Sequence, residues 1–297
     1  MEAKKFFMNG FWLKIVAIIA MTFDHIGFAL GTFYYDQSDV INVLISIFRG
    51  VGQIALPIFC FLIVEGVLHT KNIQKYFLRL GVLAVIILAG IVISENIPFF
   101  KDNGYSISSM GNIFIDLLLG ALAVFLLRQK RSSLKILCVI PLLFGIASFI
   151  AILLEQQDPN LTIWWLPYFI RTQSGFYAIA LCLGFYFSYI LKDIWLKTNN
   201  PNTSAIYEEG TQGRFLSNLI AVFILVVITS IYFILIRFIL STTTFIDPTF
   251  GIFSGALLLF YNGKRGYNKN WFKYGCYIYY PLHLLIIFGV FAIISLL

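Results

Sequence analysis

Charge is scarce in this chain. Of its 297 residues only 12% are Asp, Glu, Lys or Arg, about half the share usual in a soluble domain. Mean hydropathy is correspondingly high, at +0.88. That shortage excludes an ordinary soluble domain and points to an integral membrane protein. Lys and Arg outnumber Asp and Glu by 21 to 14, but they are too sparse and evenly spread for a nucleic-acid surface, so no nucleic-acid partner is expected. Cysteine is thin as well. Cys60, Cys138, Cys182 and Cys276 fall singly inside apolar runs, with no pair at metal-ligand spacing. They read as small buried apolar residues, and no metal is expected. Low-complexity tracts and internal repeats are lacking. A small-residue cleavage site is lacking too, and the first apolar run is long and carries Lys, Asp and His, so it reads as a span rather than a cleavable leader.

What the chain has in abundance is apolar runs. Nine are long enough, or nearly so, to cross a hydrocarbon core of ~30 Å: about 11–32, 42–67, 78–96, 111–128, 136–154, 174–191, 216–240, 247–261 and 274–297. The eighth is broken by Asp247-Pro248. Trp164-Trp165-Leu166-Pro167-Tyr168, short and aromatic, reads as an interfacial segment. Alternate loops carry 16 basic residues on one side and four on the other, which places the N-terminus in the cytoplasm. The expected fold is a single domain over 1–297: all-α, a polytopic bundle of about nine transmembrane helices.

Within the first span, Lys14 and Asp24-His25 stand out, because a buried intramembrane charge costs several kcal/mol and generally has a task. Lys14 and His25 are eleven residues apart, about three turns, so they share a face and lie roughly 16 Å apart along the axis. Other polar residues recur at helical spacing: Arg49, Gln53 and Pro57; Glu65 and His69; Asn112 and Asp116. With His283 in the last span, these stripes are expected to face one another around a cavity, since lipid-facing placement is too costly. His25 is the natural general base. Lys14, Lys264 and Arg265, at the cytoplasmic mouth, suit phosphate groups. That combination matches a coenzyme A arm reaching into the membrane. The rival reading is a proton-coupled transporter in which Asp24, His25, Glu65 and His283 relay protons.

Several segments resemble the TraX family: Phe23-Asp24-His25-Ile26-Gly27, the run from Arg49 to Gly66 with His69, and Tyr261-Asn262-Gly263-Lys264-Arg265-Gly266 with Tyr280-Pro281-Leu282-His283-Leu284. Ser94-Glu95-Asn96-Ile97-Pro98 and the run from Asn112 to Gly120 fit as well, while 130–250 carries little of the likeness. The resemblance implies a multi-pass protein of the bacterial cytoplasmic membrane that acetylates the N-terminus of a pilin. It extends to a wider group of transmembrane acyltransferases whose first span carries a basic residue, ten positions, then His, a spacing that Lys14 and His25 match. By that resemblance His25, with Asp24 beside it, is the catalytic base or acyl relay and Lys14 a positioning or phosphate contact. The resemblance implies acetyl-CoA as the co-substrate. Arg49, Gln53, Glu65, Asn112, Asp116 and His283 would line the pocket. The acceptor stays open between a peptide or pilin and an envelope glycan, and a homodimer is compatible with the sequence.

Overall fold

The computed structural model describes residues 7–105, 107, 111–158, 161, 163–199, 212–240 and 247–296. The basic pair Lys4 and Lys5, and the centre of the long polar loop at 200–211, lie outside the described residues. Helices α1 (Gly10–Tyr34), α2 (Asp39–Gly52), α3 (Ala55–His69), α4 (Ile73–Asn96), α5 (Pro98–Asp102), α6 (Ile113–Leu127) and α7 (Ser132–Ile136) come first. They are followed by α8 (Val139–Gln157), α9 (Tyr177–Asn199), α10 (Gln212–Leu240), α11 (Ser254–Leu259) and α12 (Asn270–Leu296). No strand occurs among the described residues, only an isolated bridge between Met8 and Tyr261. The fold is an all-α polytopic bundle.

Seven segments are long and apolar enough to span a membrane: Gly10–Tyr34, Asp39–His69, Ile73–Asn96, Ser132–Gln157, Tyr177–Trp195, Gly213–Phe238 and Asn270–Leu296. The fourth and eighth expected spans are shorter apolar helical segments, Ile113–Leu127 and Pro248–Leu259. The Trp164-Trp165 segment is no span. It runs through turns into a 3-10 helix at Tyr168–Ile170, with Trp164 83% exposed.

Local chemistry sets the helix starts. The Asn9 side chain accepts from the amides of Phe11 and Trp12 at α1, Ser38 from Ile41 at α2, Asn72 from Lys75 at α4 and Asn112 from Phe114 at α6. Each satisfies an amide that the helix itself leaves without a partner. The second expected span is interrupted between Gly52 and Ala55, where Gln53 and Ile54 bond to carbonyls three residues back. Pro57 explains the break: it has no amide hydrogen for the Gln53 carbonyl, and it sits in the first turn of α3, where that loss is tolerated.

The layers follow from which faces carry large apolar groups. Helices α3, α6 and α9 pack on one another at the centre, with α1 and α2 on one flank and α10 and α8 on the other. Ile58, Phe61, Val64, Ile179, Leu181 and Phe185 are fully buried there. Large apolar side chains such as Val85, Ile140, Phe223 and Leu285 point outward, while Ser148, Asn218, Thr229 and Asp116 are buried. Apolar outside and polar inside is the inversion expected when lipid replaces water as solvent.

One end of the bundle gathers the basic residues. There Arg128 donates to the Val67 carbonyl, Arg265 to the His69 carbonyl, Arg214 pairs with Glu65, and the Gly10 amide bonds to the Lys264 carbonyl. The opposite end holds the loop between α8 and α9, where Arg171 forks onto Glu155 and Tyr168 donates to Glu95.

Candidate functional site

Two polar centres lie at different depths, separated by packed apolar side chains. The larger is a cavity of about 490 Å³, lined among others by Asp24 and His25 of α1, Arg49 of α2, Gln53 and Tyr280, with Glu155, Tyr168, Arg171, Tyr177 and Tyr232 around it. It runs from His25 toward the loop between α8 and α9.

Helices α1 and α2 approach closely because two glycines let them. A Cβ on Gly27 would meet Phe48 and Arg49 at 2.9–3.1 Å, and one on Gly52 would overlap the Asp24 side chain. That approach brings Arg49 Nη1 to 2.7 Å from Asp24 Oδ2, with the guanidinium carbon 5.4 Å from the Phe28 ring centroid. The other Asp24 oxygen, Oδ1, is buried without a hydrogen-bond partner, an arrangement that costs about 1–3 kcal/mol and marks a place for a donor. Asp24 thus pairs with Arg49 through one oxygen and keeps the other bare. It does not orient His25, since consecutive residues diverge by ~100° around a helix.

His25 is held from the last helix instead. Its Nδ1 lies 2.7 Å from Nε2 of His283, whose own Nδ1 lies 2.8 Å from the Tyr279 carbonyl oxygen. The Tyr279 ring stacks on His283 at 4.8 Å with 6° between planes, and the Tyr279 hydroxyl meets the Thr22 hydroxyl at 2.7 Å. Tyr280 stands edge-on to His25 at 5.8 Å. His25 and His283 are 3% and 5% exposed.

The outer rim is braced by ion pairs and clamps. Arg171 donates to both Glu155 oxygens and to the Leu166 carbonyl. Asp116, fully buried, accepts from the amides of Gln173 at 2.6 Å and Ser174 at 2.9 Å and from the Ser174 hydroxyl. The Tyr177 and Tyr232 rings stack at 4.5 Å, and the Tyr232 hydroxyl bonds to the Ser174 carbonyl. Tyr168, hydrogen-bonded to the Glu95 carboxylate, has its hydroxyl pushed up to about 12, that bond being the largest cause and burial the next. It is a neutral donor at the rim and no base.

The second centre is the Glu65 cluster near the basic end. Glu65 accepts from Arg214 at 2.7 Å, from the Tyr261 hydroxyl at 3.0 Å and from the Tyr189 hydroxyl, with His69 Nδ1 3.6 Å away. The Arg214 guanidinium lies between the Tyr261 and Tyr189 rings, 4.5 and 5.4 Å from their centroids.

The expectation of one cavity lined by every polar stripe needs correction. Asp24, His25, Arg49 and Gln53 line the cavity, and His283 stands behind His25. Glu65 does not: its oxygens are consumed by Arg214 and two tyrosines. Asn112 and Asp116 do not: Asn112 caps α6 and donates to the Ala84 carbonyl at 2.8 Å, while Asp116 holds the loop. Lys14, Lys264 and Arg265 are exposed at the basic end and do not line the cavity either. Lys14 and Arg265 do lie within electrostatic reach of each other. Residues not singled out from the sequence also line the site, notably Glu155, Arg171, Tyr177 and Tyr232. The one signal for Arg171 was its place in a loop set poor in basic residues.

Both centres lie within a stretch that matches one protein family. The profile of the family described as "TraX protein" matches residues 10–291. A Dichelobacter nodosus protein named "Probable fimbrial assembly protein FimC, serogroup H1" is 33% identical over 147 residues, covering 47% of this chain and 53% of that protein. The chain thus spans about half the length of that relative. An "Uncharacterized protein RP591" of Rickettsia prowazekii (strain Madrid E) is 27% identical over 183 residues, covering 50% of this chain and 68% of that protein. No solved structure matches. With the profile extending from the start of α1 to near the end of α12, the chain belongs to the TraX family.

Proposed function

We propose that this multi-pass protein is an acyltransferase of the bacterial cytoplasmic membrane. It moves an acetyl group from acetyl-CoA to an amine or hydroxyl of a peptide, a pilin or an envelope glycan. The observation that carries the reading is His25: buried against a polar cavity, bonded through Nδ1, and sharing that cavity with Asp24, one of whose oxygens has no partner. A site for proton abstraction needs that pairing of a held imidazole with open space for a reactant. The name of the Dichelobacter relative, a fimbrial assembly protein, supports a pilus subunit as acceptor.

In the direct form, the acceptor nitrogen or oxygen attacks the thioester carbonyl and gives its proton to His25. The new C–N or C–O bond forms as the C–S bond breaks. The proton then passes from His25 to the departing thiolate, leaving coenzyme A as a thiol and His25 neutral. Acetyl-CoA presents its phosphates to Lys14, Lys264 and Arg265, and its arm follows the seam between α1 and α12, along which Lys14 neighbours Cys276 and His25 meets His283. The acceptor enters through the cavity from the other end. A proton-relay transporter is disfavoured because Glu65 is locked in its own cluster, with Ile58, Phe61 and Val64 packed fully buried on the same helix.

The test is acetyl-CoA binding by calorimetry, with coenzyme A as comparator. Micromolar binding that weakens in Lys14→Ala, with His25→Ala still binding yet unable to release thiol from acetyl-CoA, is the expected pattern. Absence of binding by either nucleotide sinks the acetyl-CoA reading.

A further inference from the structure

We propose that His283 is a positioning residue that fixes which nitrogen of His25 carries the proton, leaving Nε2 of His25 bare to act as the base. The inference rests on the acyltransferase reading and deepens it.

A neutral imidazole has one donor nitrogen and one acceptor nitrogen. The chain of contacts ends on the Tyr279 carbonyl oxygen, which can only accept. His283 therefore carries its hydrogen on Nδ1 and has a lone pair on Nε2. The 2.7 Å contact between that Nε2 and Nδ1 of His25 then requires the hydrogen to sit on His25 Nδ1. His25 Nε2 is left with its lone pair, and no hydrogen bond from a described residue occupies it while the ring lines the cavity. Reversing the direction would set the bare Nδ1 of His283 against a carbonyl oxygen at 2.8 Å, lone pair to lone pair. Protonating His283 at both nitrogens would avoid that, at the cost of a buried cation in an apolar layer.

The ring that sets the tautomer is thus an imidazole, where a carboxylate often serves. The nearby carboxylate of Asp24 does not take that part: its Oδ2 pairs with Arg49 on α2, and its Oδ1 makes no hydrogen bond to His25. From α12 the rings of His283 and, edge-on, Tyr280 face His25. When His25 takes a proton on Nε2, its Nδ1–H becomes a charge-assisted donor to His283. Stacking on the Tyr279 ring and the bond to its carbonyl lock His283 in place. Pro281 lies between them in sequence.

The experiment uses the full chain in lipid nanodiscs with 15N-labelled histidine. His69→Gln removes the third histidine signal. In the otherwise wild-type protein His25 should be protonated at Nδ1 and bare at Nε2 at neutral pH, and His283→Phe should abolish that preference. Thiol release from acetyl-CoA, with water or an amine-terminated peptide as acceptor, gives the kinetic arm. His283→Phe should lower kcat by about 10²-fold or more with the KM for acetyl-CoA unchanged. His283→Gln, whose amide oxygen can accept from Nδ1–H, should stay within about tenfold of wild type. Protonation of His25 at Nε2 in the wild type would overturn the inference. So would a His283→Phe protein as fast as wild type where His25→Ala is dead, or a loss in His283→Gln as deep as in His283→Phe. If the wild type releases no thiol, the acyltransferase reading fails on its own while the 15N spectra still decide the tautomer. Should His283→Phe not fold, the wild-type spectrum and His283→Gln remain decisive.

Discussion

At the scale of single residues, the site divides its labour between neighbours that the chain places side by side. Asp24 and His25 adjoin in sequence but face different helices, one meeting Arg49 of α2 and the other His283 of α12. Removing one member of the Asp24–Arg49 pair leaves a largely buried charge without its counterion, a loss of about 3–5 kcal/mol. Asp24→Ala and Arg49→Ala should each lower the unfolding temperature strongly, and the double variant should lose far less than the sum, because neither leaves the other stranded. Thermal unfolding in detergent by intrinsic fluorescence measures this, and additive losses would mean the pair is not coupled. His25→Ala is the contrasting case: a neutral side chain leaves, so stability should change modestly while thiol release from acetyl-CoA disappears.

Among the elements, the loop from Arg171 to Gly175 has the most to hold and the fewest regular bonds to hold it with. Asp116, at the first turn of α6, replaces those bonds with three of its own to Gln173 and Ser174. Gly175 at φ 60° lets the chain turn into α9 there, packed on Phe149. Asp116→Ala removes all three bonds at once. The amides of Gln173 and Ser174 should then exchange with deuterium at least about tenfold faster, since each lost bond is worth about 1 kcal/mol or more. Unchanged exchange at those two amides, by mass spectrometry of the peptide that contains them, would show that the loop is held otherwise. Such a residue reads from sequence as one more buried charge. Its spacing from Asn112 says that the two share a face of a helix, not that the face meets backbone rather than a cavity.

For the whole molecule, the two ends differ in kind. Basic residues and the Glu65 cluster occupy one, and the ion-paired loop at the mouth of the cavity occupies the other. If the basic end faces the cytoplasm, a cysteine placed at Lys71 in a cysteine-free background should react with a membrane-impermeant maleimide only after cells are opened. One placed at Lys101 should react in intact spheroplasts. The reverse pattern would invert the topology. Under the proposed function, that orientation would bring a cytoplasmic cofactor and an envelope acceptor to the protein from opposite ends.

The sequence alone determined that the chain crosses a membrane repeatedly, and that Lys14, Asp24, His25 and Arg49 were its conspicuous charges and bases. Hydropathy is a property of each segment separately, and lipid judges every helix on its own, so α1, α4, α9 and α10 were legible without any neighbour. The break at Gln53 was foreshadowed by Pro57, which withholds one amide. Tertiary structure decided the rest. His25 and His283 lie 258 positions apart in the chain, and only the rotation and depth of α12 against α1 bring their ring nitrogens together. Glu65, equal to Asp24 as an intramembrane carboxylate in the sequence, became part of a separate cluster because Arg214, Tyr189 and Tyr261 reach it first. Asn112 and Asp116 were taken by backbone. A buried polar group binds whatever donor or acceptor packing presents to it, and packing depends on all the helices at once.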